Sequence, residues 1–231
     1  MLTFVLLPGM DGTGTLFEPF VAAFGRSMAI KVVRYPAEQD LGYEELQKVA
    51  VEALPEEGRF LLLGESFSGP LAVSLAASAG SRLCGLILCC SFVPSPRRVG
   101  AWIANSVLLP PQSFVPRAVV DYFLLGRFHS SALSASLRKA ISQVAAHVLR
   151  RRLKAVLNVD VTDKLKAVRA PILYLRATED RLVPPAASAL IKEIAPQTHM
   201  VDIEAPHCLL QAVPEKAAEA VKRFADEYCE D

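Results

Sequence analysis

The chain has little excess charge, few cysteines and no metal-binding cysteine spacing. Its 25 Lys and Arg against 24 Asp and Glu give a formal net charge of +1. This balance gives no electrostatic reason to expect a nucleic acid or an acidic partner. The five cysteines are an odd number, and their spacing indicates neither a disulfide framework nor a metal site. We expect most of them to act as small hydrophobic residues in a reducing compartment.

The chain also lacks a segment long and apolar enough to span a bilayer. Its apolar start, MLTFVLLPGM, has no basic region and runs into a glycine turn, so we interpret it as a strand and expect a cytoplasmic location. Neither a G-x-G-x-x-G nor a G-K-[ST] motif is present, which disfavours a nucleotide site. Hydrophobic residues make up 52% of the chain, and this fraction excludes a disordered chain.

Six short apolar segments have the character of strands covered on both faces, because they mostly lack polar alternation. They are residues 2–7, 30–35, 60–63, 84–90, 171–176 and 198–203. Helical patterns lie between most of them, which predicts an α/β fold with a parallel sheet, helices on both faces and right-handed crossovers.

The connection after the fourth segment is about eighty residues long, far beyond an ordinary crossover. Several prolines break its first part, and residues 130–157 form a long amphipathic pattern of one or two helices. We predict a helical cap at residues 94–169, inserted into a core of residues 1–93 and 170–231. The cap is rich in arginine and lysine, which we interpret as a solvated helix face. The alternative is that Arg150, Arg151 and Arg152 steer an anionic group.

The stretch GESFSG, residues 64–69, directly follows the third apolar segment. Ligands bind at the carboxyl ends of parallel strands, and a serine at a tight strand-to-helix turn projects its hydroxyl. The G-x-S-x-G pattern needs small residues two before and two after the serine. Gly64 meets the first need, whereas Ser68 stands at the second position and Gly69 follows it. Ser66 is therefore the candidate nucleophile, and Ser68→Gly is predicted to leave activity largely intact.

Three further stretches lie just after other predicted strands: PGMDGTG at 8–14, ATEDRLVP at 177–184 and APHCLLQAVP at 205–214. Together with GESFSG, in the order serine, aspartate, histidine, they resemble the α/β-hydrolase superfamily and its small bacterial esterase-type branch. The resemblance covers essentially the whole chain and is least specific in the cap. It implies a three-layer α/β-hydrolase fold with the cap inserted after the fourth strand.

A serine nucleophile needs a base and an acid that orients the base. The resemblance places the base at His207, and the position of this residue after the last predicted strand agrees. It places the acid at Asp180 of the D-x-x-V-P pattern, and Glu179 is then a solvated neighbour. Some family members carry the acid after the preceding strand, but that loop, SFVPSPRRVG, contains no carboxylate here.

The resemblance also implies two backbone N–H donors that stabilise an oxyanion, those of Met10 and Phe67. Pro8 stands where the H-G-x loop of the family commonly has histidine. Asp11 is interpreted as a residue that orders the loop through its own backbone hydrogen bonds. Glu65, at the variable position of the turn, is interpreted as structural.

Family members usually have two extra strands before the strand that leads into the oxyanion loop. In this chain the first apolar segment is already that strand, so we predict a sheet shortened to six strands, all parallel. The segment 30–35 then forms an exposed edge, and forming a homodimer is one way to cover it.

The hypothesis is a serine hydrolase that cleaves small-molecule carboxylic esters through an acyl-enzyme on Ser66, with no metal or cofactor. An epoxide or haloalkane hydrolase is disfavoured, since those enzymes have aspartate at this position. One alternative is a thioesterase or acyltransferase, because the PGMDGTG loop also resembles that of some plant acyltransferases of this fold. Another is a non-catalytic ligand-binding member of the fold. The apolar cap residues expected to line an acyl pocket, or to pack as core, are Trp102, Ile103, Leu108, Leu109, Phe114, Tyr122, Phe123 and Leu124.

Overall fold

A parallel sheet forms the centre of the structure. The computed structural model describes residues 2–25, 28–96 and 117–229. The strands in those ranges are β1 Thr3–Leu7, β2 Ala29–Val32, β3 Phe60–Glu65, β4 Leu83–Cys89, β5 Ile172–Ala177 and β6 His199–Ile203. Their order is β2-β1-β3-β4-β5-β6, and every neighbouring pair is parallel. The predicted six-stranded, all-parallel sheet is confirmed, and β2 lies at an edge as expected.

Helices connect the strands and cover both faces of the sheet. The α-helices of the described ranges are α1 Glu18–Phe24, α2 Tyr43–Glu52, α3 Gly69–Ala76, α4 Arg117–Leu124, α5 Ser131–Ser142, α6 Ala146–Asn158, α7 Thr162–Ala167, α8 Pro185–Ile194, α9 Leu209–Ala212 and α10 Pro214–Tyr228. Proline stands in the first turn of α1, α3, α8 and α10, where its missing N–H costs no intrahelical hydrogen bond. The amphipathic pattern at 130–157 divides into two helices, α5 and α6.

The core has two layers, one on each face of the sheet. Alternate residues of β1 enter different clusters: Val5 and Leu7 pack on the side of α2 and α3, whereas Phe4 and Leu6 pack on the side of α1 and α10. All four side chains are fully buried. This explains why the strands are uninterrupted apolar runs, since each face of the sheet must be apolar to meet its helices.

The two ends of the segment between β4 and β5 are hydrogen-bonded to each other. Pro94 pairs with Asp160 in an antiparallel bridge, and the Val161 N–H donates to the Val93 carbonyl over 3.1 Å. The boundaries of the cap, 94–169, stay a prediction. Of the apolar cap residues named above, Trp102, Ile103, Leu108, Leu109 and Phe114 lie outside the described residues. Tyr122 is 56% exposed beneath the Arg181 guanidinium, so it is not part of a buried pocket floor or core.

One pair of cysteines forms a disulfide that the spacing along the chain did not indicate. Cys84, in β4, and Cys229, which follows α10, form a disulfide across a sequence separation of 145 residues. Both residues are buried, and spacing along the chain gave no sign of the pair because packing of α10 onto the sheet brings them together. The other cysteines, Cys89, Cys90 and Cys208, are buried free thiols, as expected.

None of the helices found in the described ranges has the length and apolar character needed to cross a membrane.

Candidate active site

A tight turn joins the end of β3 to α3, and Ser66 lies at its apex. Its φ is 48°, in the left-handed region that a residue with a Cβ rarely adopts. The turn is crowded as the sequence predicts: a Cβ added to Gly64 would lie 2.6 Å from the Ala72 Cβ, and one added to Gly69 would lie 1.7 Å from the Ser91 Oγ. The Ser91 hydroxyl also donates to the Ser66 carbonyl over 2.6 Å, and this hydrogen bond helps to hold the Ser66 backbone in its strained conformation.

Three side chains from three loops at the same edge of the sheet form one hydrogen-bonded chain. The Ser66 Oγ lies 2.8 Å from the His207 Nε2, and the His207 Nδ1 lies 2.8 Å from the Asp180 Oδ2. The other carboxylate oxygen, Asp180 Oδ1, accepts the N–H groups of Leu182 and Val183 over 2.8 and 2.9 Å. The structure thus brings together the three residues that the sequence selected, and backbone donors hold the carboxylate in place.

The surroundings of His207 favour its protonated form. Burial opposes the charged imidazolium and alone would lower the pKa of His207. The adjacent Asp180 carboxylate and its hydrogen bond outweigh burial, so the pKa of His207 is raised above its usual value. An imidazole arranged in this way can accept a proton from the Ser66 hydroxyl and be stabilised once charged.

Glu179, the neighbour of Asp180, is not part of this chain of hydrogen bonds. Its carboxylate accepts the Arg127 Nε–H over 2.8 Å, and the same guanidinium pairs with Glu204, which precedes the His207 loop. Arg127 is 58% exposed and belongs to the inserted segment. The pair therefore links the insertion to the loops that carry Asp180 and His207 at the protein surface.

The loop after β1 runs beside this site, because Leu7 of β1 pairs with Gly64 of β3. The Met10 N–H makes no hydrogen bond to another described residue. Asp11 accepts the Thr13 N–H and hydroxyl over 2.9 and 2.5 Å, which confirms that it orders the loop. The other predicted donor, Phe67, lies in the first turn after Ser66, and its ring stacks on Tyr43 at 4.8 Å.

Glu65 is the buried last residue of β3 and is hydrogen-bonded to helix α9, which supports a structural role. Its carboxylate accepts the Gln211 Nε2–H over 2.9 Å. Burial raises the pKa of Glu65 to about 7, with the Gln211 hydrogen bond reducing the rise and the Asp11 carboxylate adding to it.

Two residues beside the β1 loop have contacts that the sequence reasoning missed. Arg152 is fully buried, so the expectation of a solvated basic face is wrong for this residue. Ser68 is also fully buried, and its hydroxyl is hydrogen-bonded to Tyr35 and to the Pro8 carbonyl. A signal for Arg152 was present in the sequence, because it lies four residues from both Val148 and Val156 on the buried stripe of α6.

In the described part of the chain, no cluster of three or more His, Cys, Asp or Glu side chains is arranged to hold a metal ion. The geometry of Ser66, His207 and Asp180 would allow the histidine to take the serine proton while the carboxylate orients the histidine.

Comparison with known proteins gives two curated relatives, of which this chain spans only 12% of the length in each case, and many structural neighbours. Phytyl ester synthase 1 of Arabidopsis thaliana is 35% identical over 81 residues, which is 32% of this chain. The match spans only 12% of that protein's length. A bromoperoxidase from Bacillus anthracis has a TM-score of 0.85 at 16% identity, covering 97% of this chain and 91% of that chain. An enol-lactonase from Burkholderia xenovorans LB400 has a TM-score of 0.84 at 16% identity, with the same coverage of 97% and 91%.

These structural likenesses show the fold, and the family follows from the sequence. The sequence model of the alpha/beta hydrolase family matches residues 4–220. That match includes the Ser66 turn, Asp180 and His207. On this basis, the chain belongs to the alpha/beta hydrolase family.

Proposed function

We propose that this protein is a serine hydrolase that cleaves small-molecule carboxylic esters. The observation that carries the proposal is the continuous hydrogen-bonded chain from the Ser66 Oγ through His207 to Asp180, with 2.8 Å at each step. The strained backbone of Ser66 supports it, because such strain is found where a nucleophile must project from a turn.

In the proposed reaction, the Ser66 Oγ attacks the ester carbonyl carbon while the His207 Nε2 takes the hydroxyl proton. The N–H groups of Met10 and Phe67 stabilise the oxygen that becomes negative. His207 returns the proton to the departing alcohol, which leaves the acyl group on Ser66. Water, deprotonated by His207, then attacks the acyl-enzyme. The bond between the acyl carbon and the Ser66 Oγ breaks, His207 returns the proton to the Ser66 oxygen, and the acid is released. Asp180 holds the imidazole so that its Nε2 faces the serine.

A fluorophosphonate probe tests this proposal directly. The wild type should be labelled, and it should hydrolyse p-nitrophenyl butyrate. Ser66→Ala should abolish labelling and lower kcat on the order of 10⁴-fold or more. Ser136→Ala, which changes an exposed serine of α5, is the matched control and should behave as wild type. Absence of labelling in folded wild type contradicts the proposal and favours a non-catalytic member of the fold.

Acyl transfer to an alcohol is the second candidate, and the partial similarity to an ester synthase favours it. The same acyl-enzyme would form, and an alcohol would then replace water as the deacylating nucleophile. The experiment supplies an acyl donor, as a p-nitrophenyl ester or an acyl-CoA, with and without a long-chain alcohol. Ester product that exceeds free acid in water indicates a transferase, whereas free acid alone supports the hydrolase.

A further inference from the structure

Arg152 is a buried cation held by backbone carbonyl groups. Its Nη1 donates to the carbonyl oxygens of Met10 and Asp11, each over 2.9 Å, and its Nη2 donates to the Pro36 carbonyl over 3.0 Å. No carboxylate of the described ranges forms an ion pair with it. Burying an unpaired charge is costly, and these hydrogen bonds are what offsets the cost. A methionine or leucine could fill a similar volume without the free-energy cost of burying a charge. The presence of a guanidinium therefore indicates that its hydrogen bonds to the loop have a role.

Ser68 holds the other end of the same loop. Its hydroxyl is fully buried and donates to the Pro8 carbonyl, while the Tyr35 hydroxyl donates to the Ser68 Oγ over 2.7 Å. The serine that stands where the G-x-S-x-G pattern has glycine therefore has a partner outside its own helix. A glycine at this position could not make either hydrogen bond, which removes the ground for expecting Ser68→Gly to leave activity largely intact.

The middle of the loop is bonded as well. The Gly9 carbonyl accepts the Gly12 N–H over 3.0 Å. The carbonyl groups of four consecutive residues, Pro8 to Asp11, thus all accept a hydrogen bond. The Met10 N–H lies in the peptide between the groups held by Ser68 and by Arg152.

We propose that Arg152 and Ser68 are positioning residues that hold the loop of residues 8–11 so that the Met10 N–H stays directed at the oxyanion. This inference rests on the proposed function. The physical reason is that Gly9, with no Cβ, leaves its two adjoining peptide units easy to rotate. Fixing the Pro8 and Met10 carbonyls on either side removes that freedom before the reaction begins. An N–H donor that is already oriented stabilises the transition state without the free-energy cost of being reoriented.

The placement of Arg152 also links the two parts of the chain. Its helix α6 belongs to the segment inserted after β4, whereas the loop belongs to the sheet. The inserted segment therefore helps to set the geometry of the loop of residues 8–11.

The experiment compares Arg152→Met, Arg152→Lys and Ser68→Ala with wild type. Arg151→Met is the matched control for loss of a positive charge, because Arg151 is the exposed neighbour on the same helix. Tyr35→Phe is the control for Ser68→Ala, because it removes a buried hydroxyl of the same network and leaves the Ser68 bond to Pro8 in place. Each protein is titrated with the fluorophosphonate, so that rates refer to active enzyme.

Two readouts separate positioning from damage to the fold: kcat and KM for p-nitrophenyl butyrate, and the inhibition constant of a trifluoromethyl ketone. The ketone forms an oxyanion on the serine, so its affinity depends on the donors. Arg152→Met and Ser68→Ala should lower kcat about 10- to 100-fold with KM little changed, since misplacement of about 1 Å costs that much. The inhibition constant should rise by a similar factor. Arg152→Lys should recover part of the loss, and both controls should stay within about threefold of wild type.

Wild-type kcat and wild-type inhibitor affinity per active enzyme in Ser68→Ala overturn the inference, even if Arg152→Met fails to fold. The same result in a folded Arg152→Met also overturns it. Equal losses in the variants and in their controls also overturn it, since they indicate general disruption. A wild type that hydrolyses no ester and takes no label overturns the proposed function, and this inference with it. That outcome is distinct from an active wild type with unaffected variants.

Discussion

Replacing Glu65 with glutamine should change how the stability of the protein depends on pH. The Glu65 carboxyl is 7% exposed, and burial raises its pKa to about 7 from the ordinary 4.5. Gln211, whose Nε2–H donates to Glu65, has a buried Oε1 with no hydrogen-bond partner among the described residues. Protonated Glu65 would offer an O–H donor next to this amide, so both observations favour the neutral form of the carboxyl.

The sign and size follow from proton linkage. Between pH 4.5 and 7 the folded protein retains a proton that the unfolded chain has released, so stability falls as pH rises through this window. A shift of about 2.5 pH units corresponds to about 3.4 kcal/mol, of which about 2.5 kcal/mol falls between pH 5 and pH 8. Glutamine does not titrate, so Glu65→Gln should lose this part of the pH dependence whatever constant effect it has on stability.

Urea denaturation at pH 5 and pH 8 measures the effect. The change in unfolding free energy between the two pH values should differ between wild type and Glu65→Gln by about 2.5 kcal/mol, with wild type losing more at pH 8. Glu57→Gln, an exposed position, controls for the loss of one negative charge and should follow wild type. The same pH dependence in wild type and Glu65→Gln would refute the argument that burial keeps this carboxyl protonated.

The remaining predictions concern the base, the disulfide and the turn. The acid limb of kcat/KM should lie above pH 6.5, because His207 must be neutral to accept a proton and its pKa is raised. Asp180→Asn should move that limb to lower pH and reduce kcat on the order of 10⁴-fold; an unmoved limb contradicts the assigned pairing. Reduction of the Cys84–Cys229 disulfide should destabilise the fold by up to about 5 kcal/mol, given the loop of 145 residues, and an unchanged Tm on verified reduction would argue against it. Gly64→Ala should lower both Tm and activity, since the new methyl would meet the Ser68 carbonyl oxygen at 2.7 Å; wild-type values of both would show that the turn can relax.

The order of strands and helices was predictable because its causes are local. Uninterrupted apolar segments predicted strands covered on both faces, and the helical segments between them required parallel pairing. The position of β2 at an edge of the sheet followed from the same topology. The ends of elements shifted by a few residues, as for β3, which continues through Glu65 where the pattern predicted an end at residue 63.

Selection of the site residues was possible for a related reason. Carboxyl ends of parallel strands meet at one edge, so polar residues that follow strands converge there whatever their separation in sequence. Ser66, Asp180 and His207 follow β3, β5 and β6 and are joined by two hydrogen bonds. Their catalytic roles, and those of Met10 and Phe67, stay predictions that the labelling and kinetic experiments test.

The sequence by itself determined the α/β architecture, the parallel sheet and the edge at which the site lies, because these depend on periodicity and on the order of segments. Only the tertiary structure decided that Cys84 meets Cys229, that Arg152 is buried against the loop of residues 8–11, and that Ser68 has a hydrogen-bond partner in that loop. Each of these contacts joins residues more than fifty positions apart. It exists because two elements pack in one relative orientation, and neither local propensity nor spacing along the chain specifies that orientation.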